Sequence, residues 1–306
     1  MIGRICSVVI CLTGATIFGA AVRGTWPDAL GLGAILAITG ALAFGLGLIP
    51  RLPAAPGAPP PLSPGAQLLQ MFTAPTAVFQ NLRAHPRWVT AFLAIVLCGA
   101  VYDLAFTRRL TPEAITAAAL EVALADRPIP AAELAALREQ QIAAAEAPLA
   151  VATRLIGRAT SVFLVLSITA GLFVLGVVVA GGQISFWQAL AAAFSATAPP
   201  AIVNTSLSLI VLHLKAPGEV HPIRGQRGLL LDNLGAFFSP DAQPVLYTAA
   251  SFVGLISLYG LWLMAQGLRH SGERMTPRAA WTVALCLWGT NLGFNLLIAA
   301  LYPKII

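Results

Sequence analysis

Seven stretches of the chain are apolar enough and long enough to cross a hydrocarbon core about 30 Å thick, which takes about 20 helical residues. They run from Ile5 to Val22, Ala29 to Ile49, Val89 to Phe106, Thr160 to Gly182, Ile184 to Leu214, Val245 to Leu268 and Ala279 to Leu301. The pattern predicts an all-α, polytopic transmembrane helical bundle of about seven spans, two of them N-terminal. The first run has two readings. Arg4 and the small residues Ala20 and Ala21 suit a signal peptide, whereas an apolar stretch of 18 residues exceeds the about 7 to 15 of a signal core and favours a retained span.

Polar punctuation divides the chain. PRLPAAPGAPPPLSP, residues 50–64, carries seven prolines and predicts an extended, semi-rigid connector. This gives a two-helix membrane module at 1–50, a linker at 51–66 and a five-span domain at 67–306 that carries an extramembrane helical hairpin at about 108–158. In the second helix Gly33, Ala37, Ala41 and Gly45 recur every four residues, a stripe open to close packing within the chain or against a second copy. Between Ala159 and Val211 no charged residue or histidine occurs, so GGQ at 181–183 is the turn between two spans. The span after it, about 30 residues or about 45 Å, must tilt, bend or begin at the interface.

In the hairpin, Thr111 is the expected N-cap, with Pro112 at the first helical position and Glu113 in the first turn; a second helix is expected over about 131–146, after the turn DRPIP. Nearly balanced charges make this a solvated hairpin. LLLDNLGAFF at 229–238 is too short to cross and too apolar for an exposed loop, and is expected to lie on the outer surface with Asp232 and Asn233 toward water.

The stretch MFTAPTAVFQNLRAHPRW, residues 71–88, is too polar to span. Pro75 suits a first helical turn, Val78, Phe79 and Leu82 share one face, Pro86 stops the helix, and Arg87 with Trp88 form an interfacial anchor pair. The expectation is a short helix on the cytoplasmic membrane surface that sets how the following span enters.

Composition agrees with this reading: 58% of residues are apolar and 10% charged, and mean hydropathy is +0.82. The charge of +6 is spread over loops without a clustered basic patch, which argues against nucleic acid as a partner and for an anionic lipid surface. Short-loop basic residues place the N-terminus in the cytoplasm: Arg4, Arg51, Arg83, Arg87, Arg269, Arg274 and Arg278 are then inside, against Arg23, Lys215, Arg224, Arg227 and Lys304 outside. Cys6, Cys11, Cys98 and Cys286 all fall in spans and form no metal or redox motif.

Few polar side chains lie within the spans. Pro199 and Pro200 remove two backbone donors and predict a kink. Asn204 lies one turn further on, and Asn291 and Asn295 share a face of the last helix. These amides form either interhelical hydrogen bonds, with Ser257 among the partners, or a polar groove admitting a headgroup or small solute. Asp103 sits in the last turn of its span, near Arg108 and Arg109, where an interfacial ion pair is expected. There is no G-x-S-x-G, no H-E-x-x-H and no pair of buried acids, so the chain shows no catalytic, cofactor or metal constellation.

Pro75, Phe79, Leu82, Pro86, Arg87 and Trp88 at the head of a span resemble the lead-in segment of bacterial members of the Yip family, the Ypt-interacting proteins. GGQISFWQALAAAFSATAPP, NLGAFFSP, SFVGLISLYGLWLMAQGLRH and MTPRAAWTVALCLWG resemble further segments of that family in order. The similarity covers about residues 68–303. It implies a five-span domain with a cytoplasmic start and a short exoplasmic C-terminus, and eukaryotic relatives are associated with Rab-type GTPases; the expected location is the bacterial inner (plasma) membrane. No residue here matches a GTPase-contact motif. Two functions follow: a non-enzymatic scaffold or adaptor acting on a membrane-protein partner or a second copy, and a transporter or lipid-moving protein using the proline-broken helix and the asparagines.

Overall fold

The computed structural model describes residues 2–26, 29–50, 57–124 and 130–302, with backbone alone at 2–4 and at Pro148. Arg51, Lys304, the Arg4 side chain and most of the DRPIP turn lie outside the described residues. In chain order the α-helices are α1 (Ile2–Val22), α2 (Leu30–Gly47), α3 (Pro64–Thr73), α4 (Pro75–Ala84), α5 (Val89–Leu110), α6 (Pro112–Leu124), α7 (Ala131–Glu146), α8 (Pro148–Val179), α9 (Phe186–Leu214), α10 (Pro244–Ser251), α11 (Leu255–Ser271) and α12 (Pro277–Leu301). Six of them, α1, α2, α5, α8, α9 and α12, are long and apolar enough to cross a membrane, and only 17–33% of each apolar window is buried inside the protein. Such an apolar exterior, with every helical backbone group bonded within its own segment, is what a bilayer selects. The chain is a helical integral membrane protein.

The chain divides into two compact units. The first comprises residues 1–51 and 110–165. Here α1 and α2 form a tight antiparallel hairpin. A Cβ on Gly14 would land on the backbone of Ala37, one on Gly33 on Phe18, and one on Gly40 on Cys11, so only glycine lets the two backbones approach this closely. A second face of α2 receives the start of α8. Gly31 faces Thr153, Ile35 faces Gly157, and the hydroxyls of Thr39 and Thr160 share a 2.7 Å hydrogen bond. The N-terminal helix pair therefore packs with a segment more than 100 residues downstream.

α6 and α7 contact each other yet bury none of their residues. Thr111 adopts φ 55 instead of the extended backbone usual for an N-cap, and its carbonyl accepts Ile115 N–H at 3.3 Å.

The second unit comprises residues 52–109 and 166–306. The N-terminal half of α9 is its axis: Ala189 to Phe194 are all buried, and α9 packs against α11, α4 and α3. Ser185 and Gln188 cap α9 reciprocally, fixing its start immediately after the GGQ turn. The helix runs unbroken through Pro199 and Pro200. The proline-rich connector turns helical within its expected span, because Ser63 accepts Ala66 N–H at 3.3 Å and Pro64 occupies the first turn of α3.

The window from Val245 to Leu268 is not one helix. It splits into α10 and the 17-residue α11, separated at residues 252–254. The break is stabilised by segment 229–238, which differs from its sequence expectation. The half-exposed side chains of Asp232 and Asn233 bond within the protein. The Asp232 carboxylate accepts Ile256 N–H at 2.9 Å, Asn233 Oδ1 accepts Gly235 N–H at 3.0 Å, and Leu234 N–H donates to Val253 O at 3.0 Å. The segment thus satisfies the backbone groups that the helix break exposes.

Candidate functional site

At one end of the second unit three connectors meet. Gln183 and Glu273 exchange backbone hydrogen bonds of 3.0 and 2.7 Å, Glu273 pairs with Arg83 at 2.7 Å, and Gln188 Nε2 donates to Arg83 O at 2.7 Å. The loops carrying Arg83, Arg87, Arg269, Arg274 and Arg278 thus share one end of the unit, as expected of loops on the same side of a bilayer.

α4 is central to this end. Val78, Phe79 and Leu82 are no more than 2% exposed, and the Phe79 ring lies 3.2 Å from where a Cβ of Gly267 on α11 would sit. The apolar face of α4 is therefore consumed within the protein. Trp88 turns onto Phe194, with ring centroids 5.5 Å apart. The polar face holds the preceding connector. Asn81 Nδ2 donates to Pro60 O at 2.9 Å, Asn81 Oδ1 accepts Leu62 N–H at 3.2 Å, His85 Nε2 bonds Pro59 O at 2.7 Å, and Arg87 donates to Leu62 O at 3.3 Å. Residues 59–62 form a strap across α4. Proline carbonyls accept without needing a donor in return, so a proline-rich strand suits this role.

A cavity of about 470 Å³ opens in the middle of the unit between α8, α9, α10, α11 and α12. Thr197, Pro200 and Asn204 line it from α9, Ser257 from α11, and Trp288 and Asn291 from α12. The structure thus brings Asn204 and Asn291 together and leaves Asn295 outside the lining. Asn295 Nδ2 donates to Asn291 O at 2.8 Å and to its Oδ1 at 3.1 Å, so these two amides bond along α12 and not across helices as interhelical glue would. Beside Pro200, the residue facing it on α11 is Gly260.

Of the small-residue stripe, Gly33 and Ala37 contact α1, whereas Ala41 and Gly45 are exposed and no atom lies within 4 Å of a Cβ on Gly45. Gly40, outside the four-residue repeat, makes an equally close contact with Cys11. Arg109 donates to Lys215 O at 2.5 Å and His213 O at 3.4 Å, which ties α5 to the end of α9. Tyr102 and Ser208 make further ties that the sequence did not single out: Tyr102 OH donates to Gly225 O at 2.6 Å, and Ser208 Oγ accepts Leu229 and Leu230 N–H at 3.0 and 3.2 Å. The only sequence signal for them was a polar group amid apolar neighbours.

In the first unit, α6 and α7 flank an open groove of about 900 Å³. Leu120, Leu124, Leu134 and Ile142 line it, with Glu121, Arg138, Glu139 and Glu146 also in its wall. Among the described residues, no group of three His, Cys, Asp or Glu side chains is placed to hold a metal.

No curated protein and no solved structure matches the chain. A family model described as the Yip1 domain matches residues 69–298, a stretch that runs from α3 through most of α12 and leaves out the α1–α2 hairpin. Matched over most of its length and built of membrane-spanning helices, the chain belongs to the Yip family of integral membrane proteins.

Proposed function

We propose that this protein is a non-enzymatic scaffold or adaptor that gathers a membrane-protein partner by docking an amphipathic helix in the α6–α7 groove. One observation carries the reading: the hairpin exposes a contiguous apolar groove and buries none of its own residues. Two helices with no fully buried residue leave room for a third helix, whose anchors at positions i, i+3, i+4 and i+7 would meet Leu120, Leu124, Leu134 and Ile142. Three glutamates against one arginine in the wall favour a partner helix with basic flanks. With the N-terminus in the cytoplasm of a bacterial plasma membrane, as the basic loops favour, the groove faces the outer side.

α3 and α4 then lie at the cytoplasmic surface. Because Val78, Phe79 and Leu82 are occupied inside the unit, the exposed Leu69 and Phe72 of α3 take the contact with the acyl boundary, and Pro75, Pro86, Arg87 and Trp88 set the angle at which α5 enters. The test is a photo-reactive residue in place of Leu134 of the full chain in its native membrane. A discrete adduct with one membrane protein, mapped to an amphipathic helix with basic flanks and lost in Ile142→Glu, supports docking. Adducts with lipid alone contradict it.

A second reading, a protein that moves lipid or solute, draws its support from the uncharged cavity at Pro200 and Asn204. Reconstituted protein that exchanges neither between vesicle leaflets nor across them counts against it.

A further inference from the structure

We propose that the cavity between α8, α9, α10, α11 and α12 binds an uncharged acylglycerol, with its hydroxyl and ester head among Thr197, Asn204 and Ser257 and its chains leaving past Asn291 into the bilayer. No residue lining the cavity carries a formal charge or an imidazole. An ionic head placed there would be desolvated without a counter-charge. That selects a neutral ligand.

The polar groups that are present lack protein partners. Among the described residues, the side chains of Thr197, Asn204 and Ser257 make no hydrogen bond, and the Asn291 amide is used only as an acceptor, by Asn295. Within a membrane bundle, an amide left without a partner is unfavourable. The two free NH₂ groups of Asn204 and Asn291 are donors, and the hydroxyls of Thr197 and Ser257 both donate and accept. Ester carbonyls together with a glycerol hydroxyl complete that set.

The rest of the wall suits a hydrocarbon chain: Phe173, Phe252, Met264 and Trp288 are apolar, aromatic or adaptable. Depth points to the bilayer as the source. Asn291 lies 14 residues into the 25-residue α12, close to its middle, and is exposed on the outside of the bundle, so a molecule dissolved in the membrane has direct access. At about 470 Å³ the cavity falls in the range of small-molecule sites and holds a head with the first part of its chains, not a whole lipid.

The experiment uses the full chain in nanodiscs of zwitterionic lipid, labelled with a diazirine-bearing diacylglycerol and mapped by mass spectrometry. The expected result is labelling confined to peptides around residues 197–204, 256–264 and 288–291, competed by unlabelled diacylglycerol but not by phosphatidic acid or free glycerol. Ala201→Phe, which fills the cavity, abolishes it. Asn204→Leu reduces it about 5-fold, the value of one hydrogen bond of about 1 kcal/mol. Because the Asn204 amide has no protein partner, Asn204→Leu leaves the thermal midpoint unchanged or higher. Labelling spread evenly over the outward faces of the spans overturns the proposal. So does equal competition by phosphatidic acid, competition by glycerol, or a fall in thermal midpoint for Asn204→Leu with labelling per folded molecule unchanged.

Discussion

The carboxylate of Asp232 accepts the backbone N–H of Ile256 at 2.9 Å and so caps the first turn of α11 from a loop more than 20 residues upstream. Together with the Leu234 N–H donated to Val253 O, it stabilises the break between α10 and α11. Asp232→Ala is expected to cost about 1 kcal/mol, the usual loss of a helix cap, and Asp232→Asn substantially less, since its amide oxygen still accepts. Thermal midpoints of the two variants in detergent check the order; equal destabilisation contradicts it.

Asn81 clasps the proline strap with both ends of its amide. Asn81→Leu keeps the volume but removes two of the four side-chain bonds that hold residues 59–62, at a cost of about 1 to 3 kcal/mol for the groups left unpaired. Limited proteolysis near the strap is expected to accelerate in Asn81→Leu while cleavage of the α6–α7 hairpin stays constant. A strap that stays protected contradicts the clasp.

The hairpin of α1 and α2 depends on glycine at its contact points. Gly40→Val is expected to splay it, at a cost of about 1 to 3 kcal/mol for overpacking, whereas Gly45→Ala is neutral or stabilising because nothing lies within 4 Å of the added methyl. Thermal midpoints check the contrast: a fall with Gly40→Val and none with Gly45→Ala is the predicted pattern.

Asp241 and Arg224 form a bidentate pair in the loop between α9 and α10. The Arg224 hydrogen bond, then its charge, holds the Asp241 carboxyl below the ordinary carboxylate value. A depressed pKa in the folded state contributes stability that is complete above the unfolded value of about 3.9 and is lost as pH falls through the folded one. Thermal midpoints of the native chain and of Asp241→Asn should differ slightly at neutral pH and converge in acid, once the pH has fallen through the depressed folded value. Curves that stay apart in acid contradict this role.

Much of the bundle is legible in the sequence because burial in lipid demands long apolar runs, and those runs mark α1, α2, α5, α8, α9 and α12 directly. Composition alone does not mark the split at residues 252–254. The window from Val245 is apolar throughout, and it breaks because Asp232 and Leu234, from a distant loop, supply the partners its backbone needs. Distance in sequence also hides the packing of α2 on α8 through Thr39 and Thr160. The asparagines mark the cavity in part. Asn204 and Asn291 come together, whereas Asn295, on the same face of α12 by periodicity, stays at its side bonded to Asn291. The face of α4 was legible as apolar, but an apolar stripe does not say whether lipid or protein covers it, and here Gly267 makes room for Phe79.

The claim that the α6–α7 groove receives a partner helix is tested most directly by hydrogen exchange of residues 112–146 in native membranes and in the purified chain in nanodiscs. Helices that bury nothing exchange quickly when alone. Fast exchange in nanodiscs is expected, with clear protection of the Leu120, Leu134 and Ile142 peptides in native membranes that Ile142→Glu reverses. Identical fast exchange in both settings contradicts it.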